Sequence, residues 1–454
     1  MKPISIQQLA EILGVPLAAG NGDLLVTGGV STDTRTLPVG SAFFALRGEN
    51  FNGDWFAASA LAAGAAVVIV QNWDGELVAN AAVIVVPDVL LALQGLACWW
   101  RQQLDIPVVA ITGSNGKTST KDFTAAVLAQ RFKVSATRGN LNNHIGVPLT
   151  VLATNFEHTA AVWEIGMNHP GEIAPLCEMT RPKYGVITNI GTAHIEFFGT
   201  REAIAEEKGM LARALPADGV LFVPASCEFH EHLAQQTRAA ITVVGHAGGS
   251  VRAENLRFEL DGTAFTLVIE GAEPTEVLLA VPGRHMVTNA LLAAGVGWKL
   301  GVPIAEIAAA LSTAIVTGGR LGRYQHRGVT VIDDTYNANP ESMAAAIATL
   351  ADTPVSNGSR RLIVLGRMGE LGVHSQAAHL RTGALAAARQ LIVVAVGEGA
   401  EGIAEGAQNA THFPDLAQAA QWLTREVKPG DVVLFKGSRA ASVERVMHAA
   451  FPRN

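Results

Sequence analysis

The chain has 454 residues, 49% of them hydrophobic and 16% charged, with a formal net charge of −7. That length exceeds one typical core, so two or three domains are expected, and the apolar content excludes a disordered chain. The acidic balance argues against a nucleic-acid binder, which carries a basic excess, yet leaves room for a phosphate ligand held by local positive charge.

In chain order, Ser5-x-x-Gln8 reads as a capping box with Ile4 and Leu9 as a hydrophobic staple, and Ile6, Leu9 and Leu13 fall on one helical face. That predicts a folded start rather than a secretory signal. The longest apolar stretch, residues 61–70, is Ala/Gly-rich and well short of the ~20 residues of a membrane span. Cys98, Cys177 and Cys227 lie far apart without metal-ligand spacing. Together these features predict a soluble cytoplasmic protein with free thiols. Predicted strands at 66–70 and 82–86 close a small α/β unit over residues 1–86. A helix over 89–103 follows, and its Trp99 and Trp100 are read as packing residues.

Residues 108–111 form a short apolar run suited to a buried parallel strand. Thr112-Gly113-Ser114-Asn115-Gly116-Lys117-Thr118 comes next, then a helical stretch over 119–130 that opens on Ser119. Strand, glycine-bounded loop with Lys-Thr, and helix are the context of a phosphate-binding loop, although the front is one residue tighter than G-x-x-x-x-G-K-[ST]. Loop N–H groups and the helix N-terminus would surround polyphosphate oxygens. Lys117 would neutralise the β/γ-phosphates and Thr118 would reach Mg²⁺. The expected ligand is a nucleoside triphosphate.

Strands and helices alternate through the expected second domain, residues 87–315, with strands at 161–165, 184–189 and 220–223. Asp261-Gly262, between apolar runs at 258–260 and 264–269, signals a hairpin, and a helix is expected over 287–300. Predicted strands at 329–334, 362–366, 391–397 and 432–436 make residues 316–454 a third, doubly wound α/β domain. Glu164 and His194 each follow a strand, where open parallel sheets present ligands, so both are candidate Mg²⁺ partners, the carboxylate being the harder ligand. On residues alone, Lys208 is a solvated helix lysine.

The loop Thr112-Gly113-x-x-Gly116-Lys117-Thr118 resembles that of the Mur ligases, the ATP-dependent amide ligases of peptidoglycan precursor synthesis. Further blocks fit the branch that adds D-alanyl-D-alanine to a UDP-N-acetylmuramoyl tripeptide. They are Gly139-Asn140-Leu141-Asn142-Asn143-His144, the stretch from Glu164 to Glu172, Thr192-Ala193-His194-Ile195-Glu196, Asp333-Asp334-Thr335-Tyr336-Asn337-Ala338-Asn339-Pro340, and Lys436-Gly437-Ser438-Arg439. The resemblance implies a UDP-substrate domain, a central ATPase domain and a mobile C-terminal domain, working through an acyl phosphate; a monomer is expected, although the sequence itself does not fix the oligomeric state. It implies that Thr118 and Glu164 hold the Mg²⁺ shared with ATP. His194 would hold a second Mg²⁺, with Lys208 carbamylated as a further ligand. Asn289, Arg320 and Asp334 would contact the nucleotide. Ser31 and Arg35 would contact the uridine nucleotide, Asn142 and Asn143 the muramoyl peptide. Tyr336, Asn337 and Asn339 would form a wall over nucleotide and acceptor.

Three positions depart from the family pattern: Met286 stands where asparagine is expected, Arg367 where aspartate is usual, and His144 in a slot that is often acidic. Rival readings are a sister ligase with another acceptor, a folate polyglutamylating enzyme, or a non-catalytic P-loop nucleotide switch. The sequence lacks the Asp-Asn-Pro-Arg-type acceptor motif of the ligase for the third residue. It leaves open whether that third residue is diaminopimelate or lysine.

Overall fold

The computed structural model describes residues 1–77, 80–246, 248–259 and 261–453. It divides into two compact units, the first Met1–Ala110 with Phe132–Met167 and Gly171–Lys183, the second Ile111–Arg131 with Asn168–Pro170 and Tyr184–Asn454.

In the first unit, Ser5 Oγ accepts from Gln8 N (3.1 Å) and caps the helix Ile6–Ile12, which buries Ile6, Leu9 and Ala10. Leu13, expected on that face, is instead the half-exposed C-cap, because Gly14 at φ +71° turns the chain. A five-stranded sheet follows in the order Leu17–Gly20, Ala82–Val85, Val67–Val70, Ala42–Phe44, Val30–Ser31, parallel except for its first strand. Phe43, Leu61, Val68, Val70 and Val83 form its core with small alanines. The helix Val89–Gln102 is capped by Asp88, and its Trp100 is fully buried with Nε1 donating to Thr154 O (2.7 Å). Trp100 is therefore a packing residue, as expected. The strands Val134–Ala136 and Ala160–Glu164 pair in parallel.

In the second unit the helix Lys117–Leu128 starts two residues earlier than expected, because Gly116 at φ +79° serves as its N-cap. Strands Tyr184–Ile187, Val220–Pro224, Ala240–Gly245 and Val251–Glu259 run in parallel, and Gly262–Ile269 and Thr275–Leu279 close antiparallel. The hairpin expected at Asp261-Gly262 forms, Leu260 lying outside the described residues. Its first arm is longer than expected, since Arg252, Glu254 and Arg257 make that strand polar and hide it from an apolar-run search.

The helix Arg284–Lys299 packs against Lys117–Leu128. A six-stranded sheet runs Gly322–His326, Val329–Asp334, Val432–Lys436, Arg361–Leu365, Ile392–Val396, Thr411–Phe413, parallel after its first pair. Its order places the carboxyl ends of Val329–Asp334 and Val432–Lys436 side by side. Val331, Val364, Val394, Phe435 and Met447 are among its core residues. Among the described residues no helix is long and apolar enough to cross a membrane, and no disulfide joins Cys98, Cys177 and Cys227.

Candidate active site

The phosphate loop is held by the next strand of its sheet. Thr188 N donates to Thr112 O (3.0 Å), Ser114 N to Asn189 O (3.1 Å) and Asn115 N to Asn189 Oδ1 (2.8 Å). Thr188 Oγ1 donates to Asn115 O (2.5 Å), and Gly191 N to Ser114 Oγ (2.9 Å). Two glycines are forced by close approach as well as by backbone. At Gly113 (φ +148°) a Cβ would stand 1.9 Å from Thr188 Oγ1, and at Gly116 (φ +79°) it would stand 2.7 Å from Asn289 Oδ1. Half-buried Lys117 bends back to donate from Nζ to Gly113 O (2.8 Å), which keeps its ammonium over the loop. Thr118 and Ser119 are buried in the first helical turn, where N–H groups and the helix dipole favour an anion.

The chain after residue 316 contributes directly. Arg320 Nη2 donates to Thr118 Oγ1 (3.0 Å), and its guanidinium stacks over the Tyr336 ring at 3.8 Å. Asn339 caps the helix Pro340–Asp352 through its Oδ1 and turns its Nδ2 to Asn115 Oδ1 (2.8 Å). Lys436 Nζ donates to Asp334 Oδ2 (2.7 Å) and Asn337 O (2.9 Å), fixing two further expected residues. Burial pushes the Asp334 carboxyl above the usual aspartate range, outweighing the opposing charge of Lys436. Asn289 is buried beside Gly116, with Nδ2 3.7 Å from the Met286 sulfur. The structure thus gathers Lys117, Thr118, Asn289, Arg320, Tyr336 and Asn339 around one loop.

His194 takes a left-handed conformation (φ +65°) and sets Nδ1 2.6 Å from Glu370 Oε2. The hydrogen bond with His194 holds the Glu370 carboxyl below its usual range. Lys208 corrects the solvated-lysine expectation. It is 1% exposed inside the helix Arg201–Ala214. Burial, then the charge of Lys117, drives its amine well below the ordinary lysine range, against a weaker opposite pull from Glu207. Residue-level reading missed this because Glu206-Glu207-Lys208 has the composition of a solvated turn.

In the first unit, Glu164 ends its strand at 2% exposure, and Asn142 Nδ2 donates to its Oε1 (2.7 Å). The Glu164 N–H donates to Thr137 Oγ1 (2.9 Å), and Gly166 N to Asn142 O (2.7 Å). Asn143 Oδ1 accepts from Gly146 N (2.9 Å), so it shapes its loop, and the His144 carbonyl accepts from Gln94 Nε2 (3.0 Å). Ser31 is buried and bonded within its own turn to Asp33, whose carboxylate binds Arg35 bidentately. That guanidinium, first by its hydrogen bonds, lowers Asp33 to about 2. Glu370 and Asp33, each holding an expected site residue, were missed from the sequence, whereas Asn189, which holds the loop, was marked there by its place after a strand.

The family models described as Mur ligase family catalytic domain, Mur ligase middle domain, and Mur ligase glutamate ligase domain match residues 27–100, 111–297 and 319–439. The UDP-N-acetylmuramoyl-tripeptide–D-alanyl-D-alanine ligase of Escherichia coli is 36% identical over 99% of this chain and 98% of its own length. A crystal structure of MurF from Acinetobacter baumannii superposes at a TM-score of 0.90, with 34% identity and full coverage of both chains. That of the Thermotoga maritima MurF ligase in complex with ADP gives 0.83, at 28% identity over 94% and 97% of the two chains. The chain belongs to the Mur ligase family.

Proposed function

We propose that this chain is an ATP-dependent ligase that joins D-alanyl-D-alanine to a UDP-N-acetylmuramoyl tripeptide in peptidoglycan precursor synthesis. The observation that carries this is the 36% identity to the Escherichia coli ligase across nearly the whole of both chains. The phosphate loop and the residues gathered around it agree with that reading. Residues 1–86 bind the UDP-substrate, 87–315 bind ATP, and 316–454 close over nucleotide and dipeptide. The protein works as a cytoplasmic monomer.

A free carboxylate is a poor electrophile. Transfer of the γ-phosphoryl group to the tripeptide carboxylate, with ADP leaving, gives an acyl phosphate. The dipeptide amine then attacks the acyl carbon, and phosphate departs with the C–O bonding pair. Lys117 neutralises charge on the transferring group, and Arg320 and Asn289 hold the nucleotide. Asp334, Tyr336, Asn337 and Asn339 line its C-terminal side. Ser31 and Arg35 hold the uridine nucleotide; Asn142 and Asn143 orient the muramoyl peptide.

The Thr118 hydroxyl and the Glu164 carboxylate are hard oxygen donors of the kind that suits Mg²⁺, an ion held by one or two protein oxygens with phosphate and water completing its shell. Thr118 and Glu164 would hold the ion shared with ATP, and His194 with a carbamylated Lys208 a second. Mg²⁺ supplies charge neutralisation at the phosphoryl oxygens. The buried, deprotonation-prone Lys208 amine is chemically suited to add CO₂. The test is phosphate release from Mg-ATP with tripeptide and dipeptide each omitted in turn. Release that needs both, with a pentapeptide product by mass, is expected; release indifferent to both refutes the ligase.

A further inference from the structure

The chain passes from the helix Ile304–Thr313 to the strand Gly322–His326 through a segment that carries Arg320. That segment meets the helix Lys117–Leu128 at two points. Arg320 Nη2 donates to Thr118 Oγ1 (3.0 Å), and the Thr317 N–H donates to Asp122 Oδ2 (2.8 Å). Thr118 and Asp122 stand at i and i+4, so they are neighbours on one helix face. The second bond joins residues 195 apart in sequence, a main-chain donor and a side chain only 12% exposed. Lys121, itself buried, donates to the other carboxylate oxygen, Oδ1. Asp122 thus holds a cation on one oxygen and the backbone of the segment on the other.

We infer that Asp122 is a positioning residue for the nucleotide site, acting through the Thr317 N–H to fix the backbone from which Arg320 reaches the phosphate loop. The inference rests on the proposed nucleotide contact of Arg320. An arginine side chain is long and loses much rotamer freedom when it is held. On a loose segment it would have to be ordered at each binding event, which weakens binding.

The surroundings of Arg320 show that it is ordered beforehand. Gly319 O accepts from Tyr336 N (3.1 Å), and the guanidinium stacks over the Tyr336 ring at 3.8 Å. Gly319 (φ +76°) and Leu321 (φ +58°) flank it in left-handed conformations, the second rare for a bulky side chain. Backbone of that kind persists only where its surroundings over-determine it. Tyr336 ties the segment at Gly319, and Asp122 ties it on the other side, ahead of the glycines. Among the described residues Arg320 Nη1 is buried without a hydrogen-bond partner, a donor placed for an acceptor from outside the chain. Holding the helices together does not need Asp122. The helix Ile304–Thr313 packs on Lys117–Leu128, and Arg131 Nε donates to Glu306 Oε2 (2.7 Å) nearby. What Asp122 adds is the register of the segment beyond that helix.

The experiment is calorimetric titration of the full chain with Mg²⁺ and the β,γ-imido analogue of ATP. It compares wild type, Asp122→Ala, Arg320→Met and the double variant. Asp122→Ala should weaken binding about tenfold, the scale of a lost hydrogen bond to a charged group, with KM for the UDP-tripeptide unchanged. Arg320→Met should weaken it at least as much, and adding Asp122→Ala to it should weaken it no further, because residues that act as one unit fail additivity. A merely structural Asp122 would cost the same with or without Arg320. Thr317→Pro removes only the donor N–H, at an exposed position, and leaves Lys121 its partner. It should reproduce the Asp122→Ala loss, and so decides the matter even if Asp122→Ala does not fold. Losses that add in the double variant, or a Thr317→Pro chain with wild-type affinity, overturn the inference. An Arg320→Met chain with wild-type affinity overturns the nucleotide contact of Arg320 itself, a separate result.

Discussion

Gly113→Ala tests how tightly the phosphate loop is fixed to its neighbouring strand. The added Cβ would lie 1.9 Å from Thr188 Oγ1 and 3.1 Å from Thr188 Cβ and N, so rotating the hydroxyl away relieves only part of the clash. Rotation also breaks the 2.5 Å bond from that hydroxyl to Asn115 O, one of the bonds that hold the loop closed. The backbone adds its own cost, because φ +148° is a conformation that side chains rarely adopt. Strain of that kind costs about 1–3 kcal/mol, and overpacking a tight site about 1–3 kcal/mol more. Even a total near 2 kcal/mol, if it falls on the loop, weakens ADP binding roughly 30-fold. Gly139→Ala is the control, since Gly139 has φ +57° with nothing within 4 Å, leaving the backbone cost alone. Calorimetric ADP titration and thermal melts of both variants decide the matter. If Gly113→Ala binds ADP and melts like Gly139→Ala, the loop is not clamped by Thr188 and the reasoning fails.

Lys117→Ala should lower kcat by about 10²–10³ or more while the melting temperature holds, as expected for a lost electrostatic contact; near-normal turnover would remove Lys117 from the site. Lys208→Ala should lose activity and regain part of it with short-chain carboxylic acids in solution, and full unrescued activity would eliminate carbamylation. In CO₂-free buffer Lys208→Met should melt higher than wild type. The folded protein binds fewer protons at Lys208 than the unfolded chain. Its burial penalty is therefore relieved as pH rises toward the ordinary 10.5, and the gain should shrink between neutral pH and pH ~10. Asn142→Ala frees the Glu164 carboxylate from a 2.7 Å donor, and should raise the Mg²⁺ concentration needed for half-maximal rate with little change in melting. Asp33, held at about 2 by Arg35, contributes stability above its ordinary 3.8 that is lost as pH falls through about 2. In Arg35→Ala the NMR titration midpoint of Asp33 should climb back toward 3.8, and an unmoved midpoint would separate the two residues.

Much of this fold was legible because its strands are short apolar runs. Residues 66–70, 108–111, 362–366 and 432–436 all lie in or against observed strands, since a strand covered on both faces cannot alternate. What was missed follows from local exceptions to the same rule. The arm Val251–Glu259 is a strand with a polar face and a bulge near Asn255, so it offers no apolar run. The first helix loses Leu13 to the turn at Gly14, where a backbone signal overrides a hydrophobic spacing.

The site divides the same way, between residues whose chemistry is announced by their neighbours in sequence and residues whose chemistry is conferred by neighbours in space. Lys117 and Thr118 belong to the first kind: a strand, two glycines and a helix start decide where their atoms lie. Lys208 belongs to the second. Its sequence context is two glutamates on a helix surface, yet the fold turns it inward to 1% exposure with Lys117 among the charges acting on it. Burial and a second cation both disfavour the ammonium, and that is the one perturbation that makes a lysine amine a nucleophile. Glu341 is of the same kind. In sequence it is an ordinary first-turn acid of a helix, where the dipole welcomes it. Only the contact with Gly191, itself bonded to Ser114, shows that its carboxylate stands beside the phosphate loop. Packing of the segment after His194 and of the chain beyond Asn339 creates both surroundings. A reading of linear order therefore finds the glycine loop and leaves undetermined which groups the fold brings to it.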